Sequence, residues 1–278
     1  MSRLILLLSL LVMANQSVLA DTSKVIATGG ATTIEGSAGG GIVPWAVING
    51  YASSEQWSLT AMHSQVSVDD FSLQAIGASL SINNRVEVSL AKQTFDLDTM
   101  GGKLGQDIVG IKYKLAGELL YSTLPQVSLG LQYKRVDDFG LPQAVGARSD
   151  WGLDAYLASS KVFFDAIAGR NLVTNLTLRA TKANQTGLLG FGSATSNNYQ
   201  LLAEASIAVL LADNIALGYE YRQKPNELSF AKEDDWQDIF VAWFINKHWS
   251  VVGAYVDLGS IAGFEQQQGW YLSIEGTL

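Results

Sequence analysis

Cysteine is absent from this chain of 278 residues, and charged residues make up only 16% of it. Without thiols the chain can form no disulfide scaffold, no thiolate zinc site and no cysteine nucleophile. Its charged fraction lies well below the roughly 25% that is usual for soluble domains. The 18 Lys and Arg residues face 26 Asp and Glu residues, a net charge of −8. That balance argues against nucleic acid as a partner, because nucleic-acid binding needs a basic surface.

Long apolar runs are also absent beyond the first residues of the chain. Arg3 precedes the apolar stretch from Leu4 to Met13, and small or aliphatic residues stand at Val18 and Ala20. This pattern predicts a cleaved secretory signal peptide over residues 1–20. The stretch is shorter than the roughly 20 residues that a spanning helix needs, and no later window holds 18 consecutive apolar residues. The sequence therefore predicts an exported protein with no transmembrane helix.

Apolar and polar residues alternate instead, in stretches of about ten residues that are separated by polar turns. In the stretch from Val127 to Arg135, aliphatic and aromatic residues fall on one face and polar residues on the other. The same period of two recurs from Leu172 to Arg179 and from Ile215 to Arg222. A period of two is typical of β-strands with one apolar face. The chain is therefore predicted to be all-β.

Aromatic residues distinguish two architectures that share this alternation. A soluble sandwich turns its apolar face inward, whereas a membrane barrel turns it outward and places Trp and Tyr at the lipid–water boundaries. About 9 to 11 tilted residues cross a bilayer, which agrees with the length of the alternating stretches. The sequence thus favours a transmembrane antiparallel up-and-down barrel in the bacterial outer membrane, with the soluble sandwich as the alternative. The aromatic residues near predicted strand ends are Tyr113, Tyr133, Trp151, Tyr199, Tyr219, Trp236 and Trp270.

The number of strands follows from the turns. Twelve are predicted, at residues 57–67, 71–82, 85–95, 106–115, 126–135, 151–162, 171–182, 199–210, 215–223, 236–245, 248–257 and 269–278. Short turns alternate with longer polar loops, as in outer-membrane barrels. The stretch from Val43 to Ala52 would be a thirteenth strand, an odd number that single-chain bacterial barrels avoid. A barrel of fourteen strands, with a further partner, is the alternative.

Residues 21–55 lie between the signal peptide and the predicted barrel, which spans residues 56–278. They include a glycine-rich run from Gly29 to Gly41. One interpretation is a flexible lead into the first strand, because glycine-rich backbone is costly to order. The other is a segment that fills the lumen, where glycine allows close backbone approach. The flexible lead is favoured on the sequence alone.

Five long segments stand out in the sequence: GGGIVPWAVINGY (39–51), VSLGLQYKR (127–135), LRATKANQTGLLGFG (178–192), EDDWQDIFVAWFINKHWSVVGAYVDLG (233–259) and GWYLSIEGTL (269–278). They resemble a proteobacterial family of exported proteins that is catalogued as a domain of unknown function. The resemblance covers essentially the whole chain after the signal peptide and implies an outer-membrane β-barrel, but it implies no activity, ligand or catalytic residue. Outer-membrane barrels usually end in Phe or Trp, whereas this chain ends in Leu278.

Charged residues fall on the polar face of the predicted strands, which faces the lumen. One side of the barrel is predicted to be mainly basic and the other mainly acidic. Two interpretations are open: an ion-pair network that seals a narrow barrel, or a field across an aqueous constriction that selects solutes by charge. The predicted lumen-facing charges are Lys112, Lys114, Lys134, Asp154, Arg179, Glu204, Glu220, Arg222, Asp238 and Glu275.

Signals for catalysis and for cofactors are weak. His63 and Ser64 are adjacent in a strand, so their side chains point to opposite faces and cannot act as a base and nucleophile pair. His248 is predicted in a turn, and no spacing indicates a metal site. The acidic run from Glu233 to Asp235 is predicted to be a solvated loop or a weak site for cations that bridge lipopolysaccharide.

The loop string GLLGFG places Leu188, Leu189 and Phe191 where an outer loop would normally be polar. These side chains are predicted either to lie in an ordinary loop or to fold into the lumen or contact an apolar solute. Overall the sequence predicts a channel or uptake port for a small solute, without cofactor or catalytic residues. Its expected partners are outer-membrane lipid, lipopolysaccharide and the barrel-insertion machinery. The alternatives are a non-conducting structural barrel and an enzyme that acts on lipid or lipopolysaccharide.

Overall fold

The computed structural model describes residues 24–194, 196–228 and 230–278. The signal peptide predicted at residues 1–20 lies outside these ranges. None of the helices described is long and apolar enough to cross a membrane. In chain order the elements are β1 (Ala31–Thr32), β2 (Ala38–Gly39), β3 (Trp57–Val68), β4 (Ser72–Ile82), β5 (Val86–Asp96), β6 (Lys103–Ala116), β7 (Gln126–Val136), α1 (Gly140–Ala144), β8 (Ala147–Ser149), β9 (Trp151–Ile167), β10 (Arg170–Thr181), a 3₁₀ turn (Gln185–Gly187), β11 (Phe191–Ser193), β12 (Gln200–Ala212), β13 (Ile215–Arg222), β14 (Trp236–Phe244), β15 (Trp249–Asp257) and β16 (Gln268–Thr277).

Twelve strands form a closed antiparallel barrel, in which each strand pairs with the next one along the wall. The barrel closes where β16 pairs with β3, with Ile274 opposite His63. The predicted all-β fold and the count of twelve wall strands are therefore confirmed. The alternative of fourteen is wrong, because residues 43–52 contribute no wall strand. The wall strands are β3 to β7, β9, β10 and β12 to β16.

Side chains alternate across the barrel wall with the period of two that the sequence shows. In β7, Leu129 and Leu131 are exposed on the outside, whereas Gln132 and Lys134 are buried in the lumen. Successive side chains of a strand point to opposite faces, so one apolar residue at every second position is enough to cover the outer surface. The outside of the barrel is therefore apolar in mid-strand.

Aromatic side chains surround both ends of the exposed wall, as membrane boundaries require. Trp236 is an exception to the predicted set: it is buried in the lumen, because it shares its strand phase with Asp238 and Phe240. Exposed aromatics at the end with short turns include Trp57, Tyr113, Trp243 and Trp249, and those at the end with long loops include Tyr133, Trp151, Tyr199, Tyr219, Tyr255 and Trp270.

The connections at the two ends differ in length. At the short-turn end, pairs such as β4–β5, β9–β10 and β12–β13 are joined by two or three residues. The loops at the other end, called the long-loop end here, include residues 137–150, 182–199 and 223–235. Two of these loops are tied together where β8 pairs with β11, with Phe191 opposite Ser149. The long loops therefore fold over the barrel mouth.

Residues 29–52, the lumen segment, are all buried. Backbone N–H groups of this segment donate to three parts of the wall: Gly41 to Glu220 at 2.7 Å, Ala46 to Ser160 Oγ at 2.8 Å, and Asn49 to Glu87 at 2.8 Å. The segment therefore fills the barrel, and the flexible lead favoured from the sequence does not describe it. Ordering is possible because the wall satisfies its backbone polar groups.

Glycine permits the closest contact between the lumen segment and the wall. A Cβ atom on Gly40 would overlap the carboxylate of Glu220. The backbone can therefore approach the wall at this point only because no side chain intervenes.

Candidate functional site

Charged side chains meet across the middle of the lumen in a set that we call the charged belt. Nine of the ten charges predicted to face the lumen are buried there. Lys114 is the exception, because it lies at the short-turn end, where its Nζ is 2.8 Å from Glu118 Oε1. The belt consists of Glu35 from the lumen segment and Glu87, Lys112, Lys134, Asp154, Arg179, Glu204, Glu220, Arg222, Asp238 and Glu275 from the wall.

Glu35 occupies the centre of the largest ion-pair cluster in the belt. Its Oε1 lies 2.5 Å from Lys134 Nζ and 2.9 Å from Arg222 Nη2, and its Oε2 lies 3.2 Å from Arg179 Nη2. All four residues are buried. Unpaired charges are very costly in such an interior, so one carboxylate from the lumen segment helps to neutralise three wall cations. The lumen segment is therefore held in place electrostatically.

The same wall cations also pair with wall carboxylates. Lys134 Nζ is 2.7 Å from Asp154 Oδ2, and Arg179 Nε is 2.5 Å from Glu204 Oε1. The contact between Arg179 and Glu204 joins the predicted basic side of the barrel to the predicted acidic side, whereas Lys134 and Asp154 both lie on the basic side. Of the two interpretations left open by the sequence, the geometry of this state corresponds to the ion-pair network.

A second cluster holds the lumen segment near β1 and β2. Lys112 Nζ donates to the carbonyl oxygens of Ala38 at 2.9 Å and Val47 at 3.0 Å, and it lies 3.2 Å from Glu87 Oε1. Glu87 also accepts the N–H of Ala38 at 3.0 Å. Glu87 is not among the lumen charges predicted from the sequence, although the alternation in β5 places it on the polar face. Glu35 is also absent from the predicted set, because the glycine-rich run around it has no alternation that would assign it to a face.

Glu220 binds the backbone of the lumen segment without an ion pair. Its carboxylate accepts the N–H groups of Gly41 and Ile42, at 2.7 and 2.9 Å, and the indole N–H of Trp45 at 3.1 Å. Asp238 lies directly opposite Glu220 on the neighbouring strand. Among the described residues, neither carboxylate has a cationic partner within ion-pair distance, and Asp238 Oδ1 has no hydrogen-bond partner.

An apolar cavity of about 150 Å³, the outer cavity, lies at the long-loop end. Ile34 and Ile42 of the lumen segment form part of its lining, together with wall residues such as Val66 and Val256. Polar atoms contribute little to its surface, which contrasts with the charged belt. Further lining residues from the wall and the loops include Phe71, Leu73, Leu104, Trp236, Leu258 and Ile261.

The loop residues singled out in the sequence lie at or near this cavity. Leu188 and Leu189 line it. Phe191 is also buried, but its ring packs against Gly152, where a Cβ atom would overlap it. The loop therefore folds inward over the barrel mouth.

A second apolar cavity of about 220 Å³, the inner cavity, lies at the short-turn end. Its lining includes Trp45 and Val47 of the lumen segment and Val173 of the wall. Strand β14 shows the order of the three layers: Trp236 lines the outer cavity, Asp238 belongs to the charged belt, and Phe240 lines the inner cavity. The charged belt therefore lies between two apolar cavities.

The weaker candidates from the sequence are dispersed. His63 is exposed on the outer wall, whereas Ser64 is buried in the lumen. His248 is exposed in a turn, where its Nδ1 lies 2.9 Å from the carbonyl oxygen of Thr277. No group of three or more potential metal-ligating side chains occurs in the part of the chain that the structure describes.

The acidic run at 233–235 contacts neighbouring side chains of this chain. Glu233 Oε2 lies 3.1 Å from Lys224 Nζ, and Asp234 Oδ1 lies 3.2 Å from Lys232 Nζ. Burial is the main cause that raises the pKa of the Glu233 carboxyl and lowers the pKa of the Lys224 ammonium. Glu233 is thus part of a buried loop contact, unlike the solvated loop predicted from the sequence.

Comparisons with known proteins agree with the resemblance seen in the sequence. The model of a family described as "Protein of unknown function (DUF3034)" matches residues 28–275. No curated protein matches the chain.

Similar solved structures include the KdgM porin, with 12% identity, coverage of 79% of this chain and 98% of that chain, and a TM-score of 0.47. The NanC porin has 11% identity, covers 79% and 98% of the two chains, and gives a TM-score of 0.48. The Acinetobacter baumannii outer membrane protein Omp33 has 9% identity, coverage of 81% and 100%, and a TM-score of 0.48. At these low scores, the function has to be argued from the geometry of this barrel.

Proposed function

We propose that this chain, which belongs to the DUF3034 family of proteins of unknown function, is an outer-membrane port for uptake of a small, mainly apolar solute. The lumen segment closes the port in the state described here. The observation that carries the proposal is the outer cavity, because the closing segment itself contributes Ile34 and Ile42 to its lining.

The outer surface of the barrel supports a location in the membrane. Its exposed aliphatic side chains include Leu129, Leu131, Leu157 and Leu176, and exposed aromatics lie at both strand ends. A continuous apolar surface of this size would be unfavourable in water, whereas in a bilayer it faces hydrocarbon. Outer-membrane barrels have short periplasmic turns and longer extracellular loops, so the proposal assigns the long-loop end to the outside of the cell.

The outer cavity supports binding of an apolar solute from the outside. Apolar cavities of about 150 Å³ stay dry and can take up small hydrocarbons the size of benzene. A bound solute would contact the lumen segment directly at Ile34 and Ile42. Binding energy could therefore act on the element that closes the barrel.

The lumen segment also connects the outer cavity to the charged belt and the inner cavity. The carbonyl oxygen of Ile42 accepts a hydrogen bond of 2.9 Å from Arg222 Nη1, and its N–H donates to Glu220. Trp45, three residues later, lines the inner cavity. A shift of residues 42–45 would therefore change both cavities and the belt together, which is the arrangement needed for ligand-dependent opening.

A binding and flux experiment tests the proposal. Purified barrel in detergent is titrated with cyclohexane by calorimetry, with micelles alone as the blank, and proteoliposomes are then assayed for uptake of the same compound. Leu188→Trp should fill the outer cavity and abolish saturable binding and uptake. Leu176→Trp adds the same side chain on the lipid-facing wall and should leave both unchanged.

The alternatives give different results in these assays. A barrel that folds and inserts but shows neither saturable binding nor flux would be a non-conducting structural barrel, for which the filled lumen is the supporting observation. Equal loss of binding in the Leu188→Trp and Leu176→Trp variants would also overturn the proposal, because the loss would then not result from filling the outer cavity.

A further inference from the structure

Trp236 carries a buried hydrogen-bond donor that no group of the described chain satisfies. The residue begins β14, is buried in the lumen and lines the outer cavity. Its indole Nε1 has no hydrogen-bond acceptor among the described residues. Buried donors are nearly always paired, because leaving one unpaired costs the full loss of its hydration. An acceptor supplied from outside the chain would remove this cost.

Trp45 provides an internal comparison. It is the other indole of the lumen that lies near the charged belt, and its Nε1 donates to Ser206 Oγ at 2.9 Å and to Glu220 Oε1 at 3.1 Å. The barrel therefore satisfies the indole next to the inner cavity, but it leaves the indole next to the outer cavity without an acceptor.

The charges around Trp236 indicate the kind of acceptor. The Arg222 guanidinium carbon and Lys224 Nζ lie 5.8 and 5.4 Å from the centre of the Trp236 rings. Both cations already have anionic partners: Arg222 pairs with Glu35 at 2.9 Å, and Lys224 pairs with Glu233 at 3.1 Å. A ligand carboxylate would thus find no free cation here, and an unpaired carboxylate is strongly disfavoured in an apolar cavity. A neutral oxygen can accept one hydrogen bond without that cost.

We propose that the outer cavity binds a small neutral compound with an apolar body and one hydrogen-bond-accepting oxygen, such as a cyclic ketone, and that Trp236 Nε1 donates to that oxygen. Trp236 is then the residue that determines specificity within a cavity whose other lining residues are apolar except for Ser72 and Gln185. This inference rests on the proposed function, because it concerns the ligand of the same cavity.

Three probes of similar shape test it by calorimetry: cyclohexane, cyclohexanone and cyclohexanecarboxylate. The wild-type barrel should bind cyclohexanone about tenfold more tightly than cyclohexane, the factor that one net hydrogen bond supplies. Trp236→Phe keeps an aromatic ring but removes the donor, and it should lower the ratio of the two affinities from about tenfold to about one. Trp270→Phe, on the lipid-facing wall, is the matched control and should keep the preference.

Each remaining outcome is decisive. Equal affinity of the wild type for cyclohexanone and cyclohexane, or a preference that survives in Trp236→Phe, would overturn the role of Trp236 while leaving an apolar uptake port. Tighter binding of cyclohexanecarboxylate than of cyclohexanone would overturn the neutral acceptor. Absence of saturable binding for all three probes would overturn both the inference and the proposed function. Retained heat-dependent migration on gels verifies that each variant forms a barrel.

Discussion

Glu35 of the lumen segment and Lys134 of the wall strand β7 form a buried ion pair, with 2.5 Å between Oε1 and Nζ. The two residues are 99 positions apart in the sequence. Lys134 also contacts Asp154 on the adjacent strand β9. The pair therefore attaches the segment that closes the lumen to the wall that surrounds it, and any opening of the barrel along this path has to separate these charges or move them together.

Removing the charge of Glu35 should release the lumen segment. In Glu35→Gln, three buried wall cations lose a shared partner, and breaking a buried ion pair in this way costs about 3–5 kcal/mol. We expect frequent channel openings in planar bilayers, where the wild type is mostly closed, and a lower midpoint of unfolding in urea.

The control for this variant is Glu55→Gln, which removes an exposed carboxylate just before β3 and should behave like the wild type. A Glu35→Gln barrel that unfolds earlier but passes no more current than the wild type would show that the segment stays in the lumen without this ion pair.

The free-energy cost of an arginine on the outer face of the wall should depend on its depth in the bilayer. Leu131 lies at the middle of β7 and Leu115 near the short-turn end of β6, and both are exposed on the outer wall. Leu131→Arg should destabilise folding into lipid vesicles by about 2–4 kcal/mol, whereas Leu115→Arg should cost about 0–1 kcal/mol. Equal costs in a vesicle folding titration would contradict a bilayer around this wall.

A side chain on Gly40 should displace the lumen segment without changing any charge. The added atoms of Gly40→Val would overlap the Glu220 carboxylate, which accepts backbone N–H groups of the next residues. We expect increased conductance and faster proteolysis of residues 29–52. In Gly253→Ala, a Cβ atom would meet open space, so this variant should match the wild type. Unchanged proteolysis of Gly40→Val would mean that the wall yields instead of the segment.

The opposed carboxylates of Glu220 and Asp238 should limit the stability of the barrel. They are direct cross-strand neighbours, and Asp238 is buried with no hydrogen-bond partner for its Oδ1 among the described residues, so burial of this acid costs stability whether or not it is ionised. Asp238→Asn keeps the shape of the side chain and should increase the free energy of unfolding by roughly 1 kcal/mol. Asp213→Asn, in an exposed turn, should have no effect. A decrease in stability for Asp238→Asn would indicate that the carboxylate binds a cation.

Local signals in the sequence determined the wall of this protein. Alternation of period two fixes which face of β7 carries Leu131 and which carries Lys134, because successive side chains of a strand must point to opposite faces. Polar turns fix the ends of the strands, and the predicted twelve agree with the twelve of the barrel. The same alternation predicted the position of most of the buried charges, because it depends only on residues that are neighbours in the sequence.

The tertiary structure alone decided how the lumen is filled. The run from Gly29 to Gly41 has no periodicity, so nothing local indicates that Glu35 reaches Arg222, 187 residues away. Its position depends on the closed wall, whose buried cations need a partner and whose polar groups satisfy the backbone of the segment. Trp236 matched the pattern of a boundary aromatic, but its strand phase, which it shares with Asp238, already places it on the lumen face. Only the tertiary structure decided that its indole N–H has no acceptor among the described residues.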